Sequence, residues 1–245
     1  MKNLTGKTIL LTRTAEGNSE WAARIEAMGG RALSLPCISC QTIQNAGTAA
    51  ALRKALSGAD WLVCTSRRGV QAVAELCPDP LPDSIRIAAV GALTRTTAVS
   101  RFGRCDLVGR SGTSTALARE LAEVLSGEGP TAGLRVIAAT ARPAAYSLEE
   151  QLEPLGIVVK RVIVYETVPA AEKKHKQSLA PLNLDAIVLA SPSAVIGLLN
   201  IAALAANIQI ISIGPTTTRQ ARSLGIEVTA EAGYPDLESI LEVLS

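Results

Sequence analysis

Along this chain, short apolar runs alternate with longer stretches in which apolar residues recur every three or four positions. The first pattern predicts buried strands, the second amphipathic helices. Thr8–Thr12 reads as a strand. Ser19–Met28 reads as a helix, with Trp21, Ile25 and Met28 on one face and Gly29-Gly30 as its stop. An extended stretch over Arg31–Ile43 is longer than an ordinary strand and contains Pro36. Helices at Thr48–Leu56 and Arg68–Leu76 flank a strand at Trp61–Thr65, and a proline-rich loop covers 78–82. The strand Arg86–Val90 then enters a helix through Gly91. A short strand at Asp106–Val108 and a helix at Thr115–Leu125 lead to the linker-like Gly127-Glu-Gly-Pro130.

The second half repeats the scheme. Strands are expected at Arg135–Ala139, Ile157–Val168, Ala186–Ala190, Gln209–Ile213 and Glu227–Thr229. Helices are expected at Ala144–Leu155, Lys173–Leu179, Ala194–Leu199, Thr216–Leu224 and Asp236–Leu244. Such alternation implies parallel βαβ units, hence an α/β fold.

The halves also echo each other in sequence. Asp60-Trp-Leu-Val-Cys-Thr-Ser66 recurs as Asp185-Ala-Ile-Val-Leu-Ala-Ser191, and Ala89-Val-Gly-Ala-Leu-Thr94 as Ser212-Ile-Gly-Pro-Thr-Thr217. Lys7-Thr-Ile-Leu-Leu-Thr-Arg13, leading to Gly30, is echoed by Leu134-Arg-Val-Ile-Ala-Ala-Thr140, leading to Gly156. The order and spacing match, which points to two copies of one α/β unit.

Composition narrows the function classes. Aromatics make up 2% of the chain, too few for the stacking platform of a single-stranded nucleic-acid binder. The net charge of +2 fits an acidic small molecule, and Lys173-Lys174-His175-Lys176 reads as a solvated helix start rather than a nucleic-acid patch. The first apolar run is too short for a signal-peptide core and no run reaches membrane-spanning length, so a cytoplasmic protein without membrane contact is expected. Five cysteines and no export signal argue against disulfides. Cys37-x-x-Cys40 falls in the expected strand, where residues three apart face opposite ways. With one histidine in the chain, no metal site is expected.

The candidate chemistry lies at strand ends. Ser191-Pro192-Ser193 and Gly214-Pro215-Thr216-Thr217 each follow an apolar strand and open a helix, as Thr65-Ser66 and Gly91-Ala-Leu-Thr94 do in the first copy. One such turn is plain capping. Four in duplicate, all at strand carboxyl ends, suit a cleft for carboxylate or phosphate. No GxGxxG follows the first strand, and no phosphate-binding P-loop or GxSxG elbow is present, so nucleotide cofactors and serine-hydrolase chemistry are not expected. Tyr165 ends the run Val162-Ile-Val-Tyr165; it is either packing or a phenol that donates a hydrogen bond in a cleft. Arg13 ends the first strand, and Arg142 follows its counterpart.

Leu11-Thr-Arg13, Pro36-x-Ile38, Asp60-Trp-Leu-x-x-Thr-Ser66, Ala89-Val-Gly91-x-x-Thr94, Val164-Tyr-x-Thr167, Ala190-Ser-Pro-Ser193 and Ile213-Gly-Pro-Thr-Thr217 together resemble the uroporphyrinogen-III synthase family over essentially the whole chain. The resemblance implies two pseudo-duplicated, flavodoxin-like parallel-sheet lobes joined by a two-stranded β-ladder. One lobe would combine residues 1–36 with 168–245, the other would be 37–167, and the ladder strands would lie at about 33–43 and 157–168. It further implies a cofactor-independent lyase that closes the linear tetrapyrrole hydroxymethylbilane, with loss of water and inversion of ring D. Thr65, Ser66, Thr94, Ser191, Ser193, Thr216 and Thr217 would line its cleft. Arg13 would also meet substrate, and Tyr165 would assist departure of the hydroxyl. A monomer is expected, with at most a transient contact to the enzyme that supplies the substrate. Two positions depart from the pattern: Arg67-Arg68 is more basic than the family habit, and Thr14 stands where proline is common. A non-catalytic two-lobed receptor for a polycarboxylate is the alternative reading.

Overall fold

The computed structural model describes residues 3–142 and 147–244. Its elements in chain order are β1 (Thr8–Leu11), α1 (Ala15–Glu26), β2 (Arg31–Ser34), β3 (Ile38–Thr42), α2 (Ala46–Leu56) and β4 (Trp61–Cys64). Next come α3 (Arg67–Leu76), β5 (Arg86–Ala89), α4 (Ala92–Phe102), β6 (Leu107–Val108), α5 (Ser114–Glu128) and β7 (Arg135–Arg142). Then follow α6 (Ser147–Leu152), β8 (Val158–Pro169), β9 (Gln177–Ser178), β10 (Ala186–Leu189), α7 (Pro192–Ile201) and β11 (Ala202–Ala203). The chain closes with β12 (Gln209–Ser212), α8 (Pro215–Ser223), β13 (Ala230–Glu231) and α9 (Leu237–Leu244).

Contacts divide the chain into two compact units. Unit 1 takes Met1–Ser39 and Thr167–Ser245; unit 2 takes Cys40–Glu166. The sheet of unit 1 has the order β13-β12-β10-β1-β2, parallel throughout. Counted within the unit, that is the flavodoxin-like order. Ile9, Leu11 and Val188 face α1 and α9, packing on Trp21, Ile25 and Ile240. The alternate residues Leu10, Ile187 and Ile210 face α7 and α8, packing on Val195, Leu198 and Ala221.

Unit 2 carries the order β3-β8-β7-β4-β5-β6, parallel from β8 to β6. Leu62, Ile87 and Ile137 pack on α3 through Val70 and Val73. Trp61, Val63 and Val136 pack on α5 and α6 through Leu121 and Leu152.

Register makes the duplication residue-specific. Ile9 lies opposite Ala186, and Val136 opposite Trp61. Asp185 Oδ2 accepts from Thr8 N at 2.7 Å; its counterpart Asp60 Oδ2 accepts from Arg135 N, also at 2.7 Å. The same register pairs Gly156 with Gly29, not with Gly30: Arg31 lies opposite Thr8, and Val158 opposite Arg135. Both matched glycines have positive φ, 83° and 77°, which a residue without Cβ adopts freely. Each unit thus draws strands from both halves of the chain: β1 and β2 join β10, β12 and β13, while β7 and β8 join β4, β5 and β6.

Several elements differ from the sequence expectation. The stretch 33–43, expected as one long strand, is two strands broken at Leu35-Pro36-Cys37, because Pro36 has no N–H to continue a ladder. Cys37 therefore lies ahead of β3 rather than within a strand, and it is buried. Lys173–Leu179 is not a helix. Every residue from 171 to 178 is exposed, so the segment has no apolar face to pack. It bends at 174–175, and only Gln177–Ser178 is extended, with Gln177 beside Ala202 and Leu179 N donating to Ala203 O at 3.1 Å. The last strand is Ala230–Glu231, not Glu227–Thr229; Thr229 N donates to Ile210 O of β12 at 2.9 Å just ahead of it. Part of the helix expected at Ala144–Leu155 lies outside the described residues; Ser147–Leu152 is helical and Glu153–Leu155 tightens to a 3-10 turn. Finally, α1 begins four residues earlier than its apolar stripe suggests. Thr14 is its N-cap, accepting from Gly17 N at 3.1 Å, which explains a hydroxyl where proline is the family habit.

Candidate active site

In open parallel sheets, ligands bind beyond the strand carboxyl ends, where the strand order reverses direction. In unit 2 that point lies between β4 and β7. Ser66 ends the β4 segment there and caps α3, its Oγ accepting from Gly69 N at 2.9 Å. The same Oγ lies 2.9 Å from the Tyr165 hydroxyl. A β-bulge aims Tyr165 at this spot. Thr140 pairs with Ile163 but Ala141 pairs with Tyr165, so Val164 is left over and β8 shifts by one residue. In an unbroken strand Val164 and Tyr165 would face opposite ways. Here both join Val162 in the cluster beneath α3. Gly69 lets the helix come close: a Cβ there would sit 3.2 Å from Ala139 O and 3.8 Å from the Tyr165 ring. Tyr165 is 9% exposed. Burial raises its pKa above the usual tyrosine value, and the Ser66 hydrogen bond opposes this in part, so the phenol stays protonated at neutral pH.

Thr65 is half-buried beside Ser66. Thr94 is buried in the first turn of α4, whose N-cap Gly91 supplies no side-chain bond. Arg68 turns along α3 and away from the helix start. It donates to Thr42 Oγ1 at 2.6 Å and pairs with Glu75 at 3.0 Å, fastening α3 to β3.

In unit 1 the reversal lies between β1 and β10. Ser191 caps α7, accepting from Ala194 N at 3.1 Å, and half-buried Ser193 follows in the first turn. Thr217 is buried and Thr216 exposed in the first turn of α8. Arg13 is folded back over α1, its guanidinium 4.4 Å from the Trp21 ring centroid and donating to Gly17 O at 3.2 Å. Burial lowers its pKa, with the Glu20 charge opposing.

Sequence reasoning did not single out three residues that hold this end of unit 1. Thr12 Oγ1 donates to Val188 O at 2.7 Å and stitches β1 to β10. Asn18, fully buried, donates to Leu11 O and Ser34 Oγ and accepts from Arg13 N at 2.8 Å. Thr218 joins Ser212 at 2.5 Å and also bonds Glu231. The available signal was a polar residue closing an apolar strand or opening the next helix.

The four helices that start at these turns share a charge pattern. Among the described residues, α3, α4, α7 and α8 carry no acidic residue in the first turn, as is also true of α2 and α5, whereas α1 and α9 do. Among the described residues no group of three or more His, Cys, Asp or Glu could hold a metal ion. Nor is any helix among them long and apolar enough to cross a membrane.

A sequence model of uroporphyrinogen-III synthase HemD matches residues 19–242. Among solved structures, the uroporphyrinogen-III synthetase of Helicobacter pylori 26695 is 18% identical, with 97% of each chain covered and a TM-score of 0.55. A mutant uroporphyrinogen III synthase of Thermus thermophilus is also 18% identical, with 97% of each chain covered and a TM-score of 0.51. At that identity the two structures establish the two-domain α/β fold. The sequence match, which covers the turns at Thr65-Ser66, Gly91–Thr94, Ser191–Ser193 and Gly214–Thr217, places the chain in the uroporphyrinogen-III synthase family.

Proposed function

We propose a division of labour for the tetrapyrrole cyclisation of this family in which the substrate supplies the reactivity and the chain supplies position. A pyrrole nitrogen of hydroxymethylbilane pushes electrons onto the hydroxymethyl carbon, and the C–O bond breaks. Tyr165 donates a hydrogen bond to the departing oxygen, which leaves as water once protonated. The resulting azafulvene is attacked by the ring D α-carbon that already carries the bridge to ring C. That bridge bond then breaks, its electrons restoring the ring D pyrrole while ring C becomes an azafulvene. The free α-carbon of ring D attacks this second azafulvene, so that the macrocycle closes with ring D inverted and the α-proton is lost. Held in reacting geometry, such a step needs little acid-base strength from the protein. The reaction is that of a lyase and calls on no cofactor.

The observation that carries this reading is the Ser66–Tyr165 hydrogen bond of 2.9 Å at the strand-order reversal of unit 2. Ser66 orients the phenol, and burial keeps it protonated as a donor. The acid-free first turns of α3, α4, α7 and α8, with Thr65, Thr94, Ser191, Ser193, Thr216 and Thr217, suit the substrate's acetate and propionate groups. Arg13 adds a cation at the end of β1.

The test is turnover of freshly made hydroxymethylbilane, with the product isomers separated after oxidation. Uncatalysed closure leaves ring D uninverted and gives isomer I. Protein-dependent isomer III is the expected result. Isomer I alone, at the spontaneous rate, would overturn the reading in favour of a polycarboxylate receptor.

A further inference from the structure

Arg13 is built into its position more firmly than capping or surface charge requires. Thr14 starts α1 early, so Gly17, Asn18 and Trp21 all lie in its first two turns. Each acts on Arg13. The guanidinium lies over the Trp21 indole, 4.4 Å from its centroid. Its Nη1 donates to Gly17 O at 3.2 Å. A Cβ on Gly17 would stand 3.2 Å from Cζ and 3.3 Å from Nε, so the cation occupies the space this glycine leaves. Asn18 fixes the Arg13 backbone through its N–H at 2.8 Å.

Trp21 packs with Ile9, Leu11 and Ile25 and so is also part of the core. The aromatic face adds something a leucine lacks: a platform that attracts a flat cation and fixes its plane. The bond to Gly17 uses one of the five guanidinium N–H groups. A guanidinium held in one plane presents paired donors to a carboxylate without first losing side-chain freedom.

We propose that Trp21 is a positioning residue, whose indole holds the Arg13 guanidinium in the orientation that receives a substrate carboxylate at the end of β1. The proposal rests on the reading above, that a polycarboxylate tetrapyrrole is the substrate.

The experiment compares full-length wild type with Arg13→Ala, Trp21→Leu, Trp21→Phe and the Arg13→Ala/Trp21→Leu double variant. Two readouts are taken: steady-state formation of isomer III, and equilibrium titration with uroporphyrin III, the oxidised polycarboxylate, which needs no turnover. Arg13→Ala is expected to raise KM and the uroporphyrin Kd about tenfold. Trp21→Leu is expected to raise both about fivefold with kcat within twofold of wild type. Trp21→Phe, which keeps a ring face, should restore most of the loss, and the double variant should be no weaker than Arg13→Ala alone. A merely structural tryptophan would instead lower kcat and the melting temperature and leave KM in place. Unchanged KM and Kd in Trp21→Leu would overturn the proposal, as would effects of the two substitutions that multiply. Unchanged Kd in Arg13→Ala would overturn it too, by removing the contact that Trp21 is said to orient. A wild type that forms only isomer I would refute the functional reading, and the uroporphyrin titration would still decide on Trp21. Failure of the wild type to bind uroporphyrin at all would overturn the proposal.

Discussion

Gly197, midway along α7, leaves no room for a side chain. A Cβ there would lie 1.8 Å from Cys37 O, 2.8 Å from Cys37 C and 3.0 Å from Ala170 N. All are main-chain atoms, and Ala170 N donates to Cys37 O at 2.7 Å. No rotamer change relieves the clash; the carbonyl must retreat by more than 1 Å or the helix must lift off. Overpacking of this kind costs roughly 1–3 kcal/mol. Breaking the hydrogen bond and leaving the N–H of partly buried Ala170 without a partner adds roughly 1–3 kcal/mol. Gly197→Ala is therefore expected to destabilise unit 1 by about 4 kcal/mol, a large share of the roughly 5–15 kcal/mol that domains possess. The chain offers a clean assay, because it has two tryptophans, Trp21 in unit 1 and Trp61 in unit 2. With Trp61→Phe as background, Trp21 fluorescence reports unit 1. With Trp21→Phe as background, Trp61 reports unit 2. In urea, Gly197→Ala should lower the unit 1 midpoint by about 2 M, taking a slope of about 2 kcal/mol/M. A unit 1 midpoint moved by less than about 0.3 M would refute the reasoning.

Tyr165→Phe should slow isomer III formation by about 10–100-fold and change urea stability by only about 1 kcal/mol; unchanged turnover would remove the phenol from the mechanism. Because the folded pKa of Tyr165 is raised, its contribution to stability is complete below the ordinary tyrosine pKa and is lost as pH climbs towards the folded value. The stability difference between wild type and Tyr165→Phe, followed from pH 8 to 11, should accordingly shrink above about pH 10, and a flat difference would contradict this. Asp60→Asn and Asp185→Asn should each cost their own unit about 1 kcal/mol, since the two carboxylates make equivalent 2.7 Å bonds; effects differing more than threefold would show that the equivalence is not energetic. Burial pushes the Cys37 and Cys64 thiols up to about 12, so iodoacetamide at pH 8 should leave both unmodified in the folded protein by peptide mass spectrometry. Labelling of either before unfolding would count against it.

Much of this was legible because local chemistry and tertiary role agree. The apolar strand runs, the caps Ser66 and Ser191, and the repeated Asp60 and Asp185 each carry their signal within a few residues. Lys173–Leu179 misled because high helix propensity, with no apolar face, is not enough to hold a helix. The break at Pro36 was written in the sequence but lost to the apolar residues on either side. Tyr165 was marked by its place in a family-like segment, whereas the bulge that aims it depends on where β7 and β8 fall out of step, a relation between distant residues. Trp21 looked like core at helical spacing. Its contact with Arg13 became visible only when Thr14 moved the start of α1.

The mixed ancestry of the two sheets has a consequence for how the protein is made. Unit 2 is one continuous stretch and can complete itself as the ribosome delivers it. Unit 1 cannot. In its sheet β1 is flanked by β2 and β10, and the bond from Thr8 to Asp185 spans 177 positions. At roughly 5–20 residues per second, β10 follows β1 by about 10–35 s. Throughout that interval the nascent chain carries a buried-type strand with one unpaired edge, a template for wrong pairing. Truncation anywhere between Glu166 and Leu189 would freeze the molecule in that state, with one finished globule and an orphaned β1–α1–β2 arm.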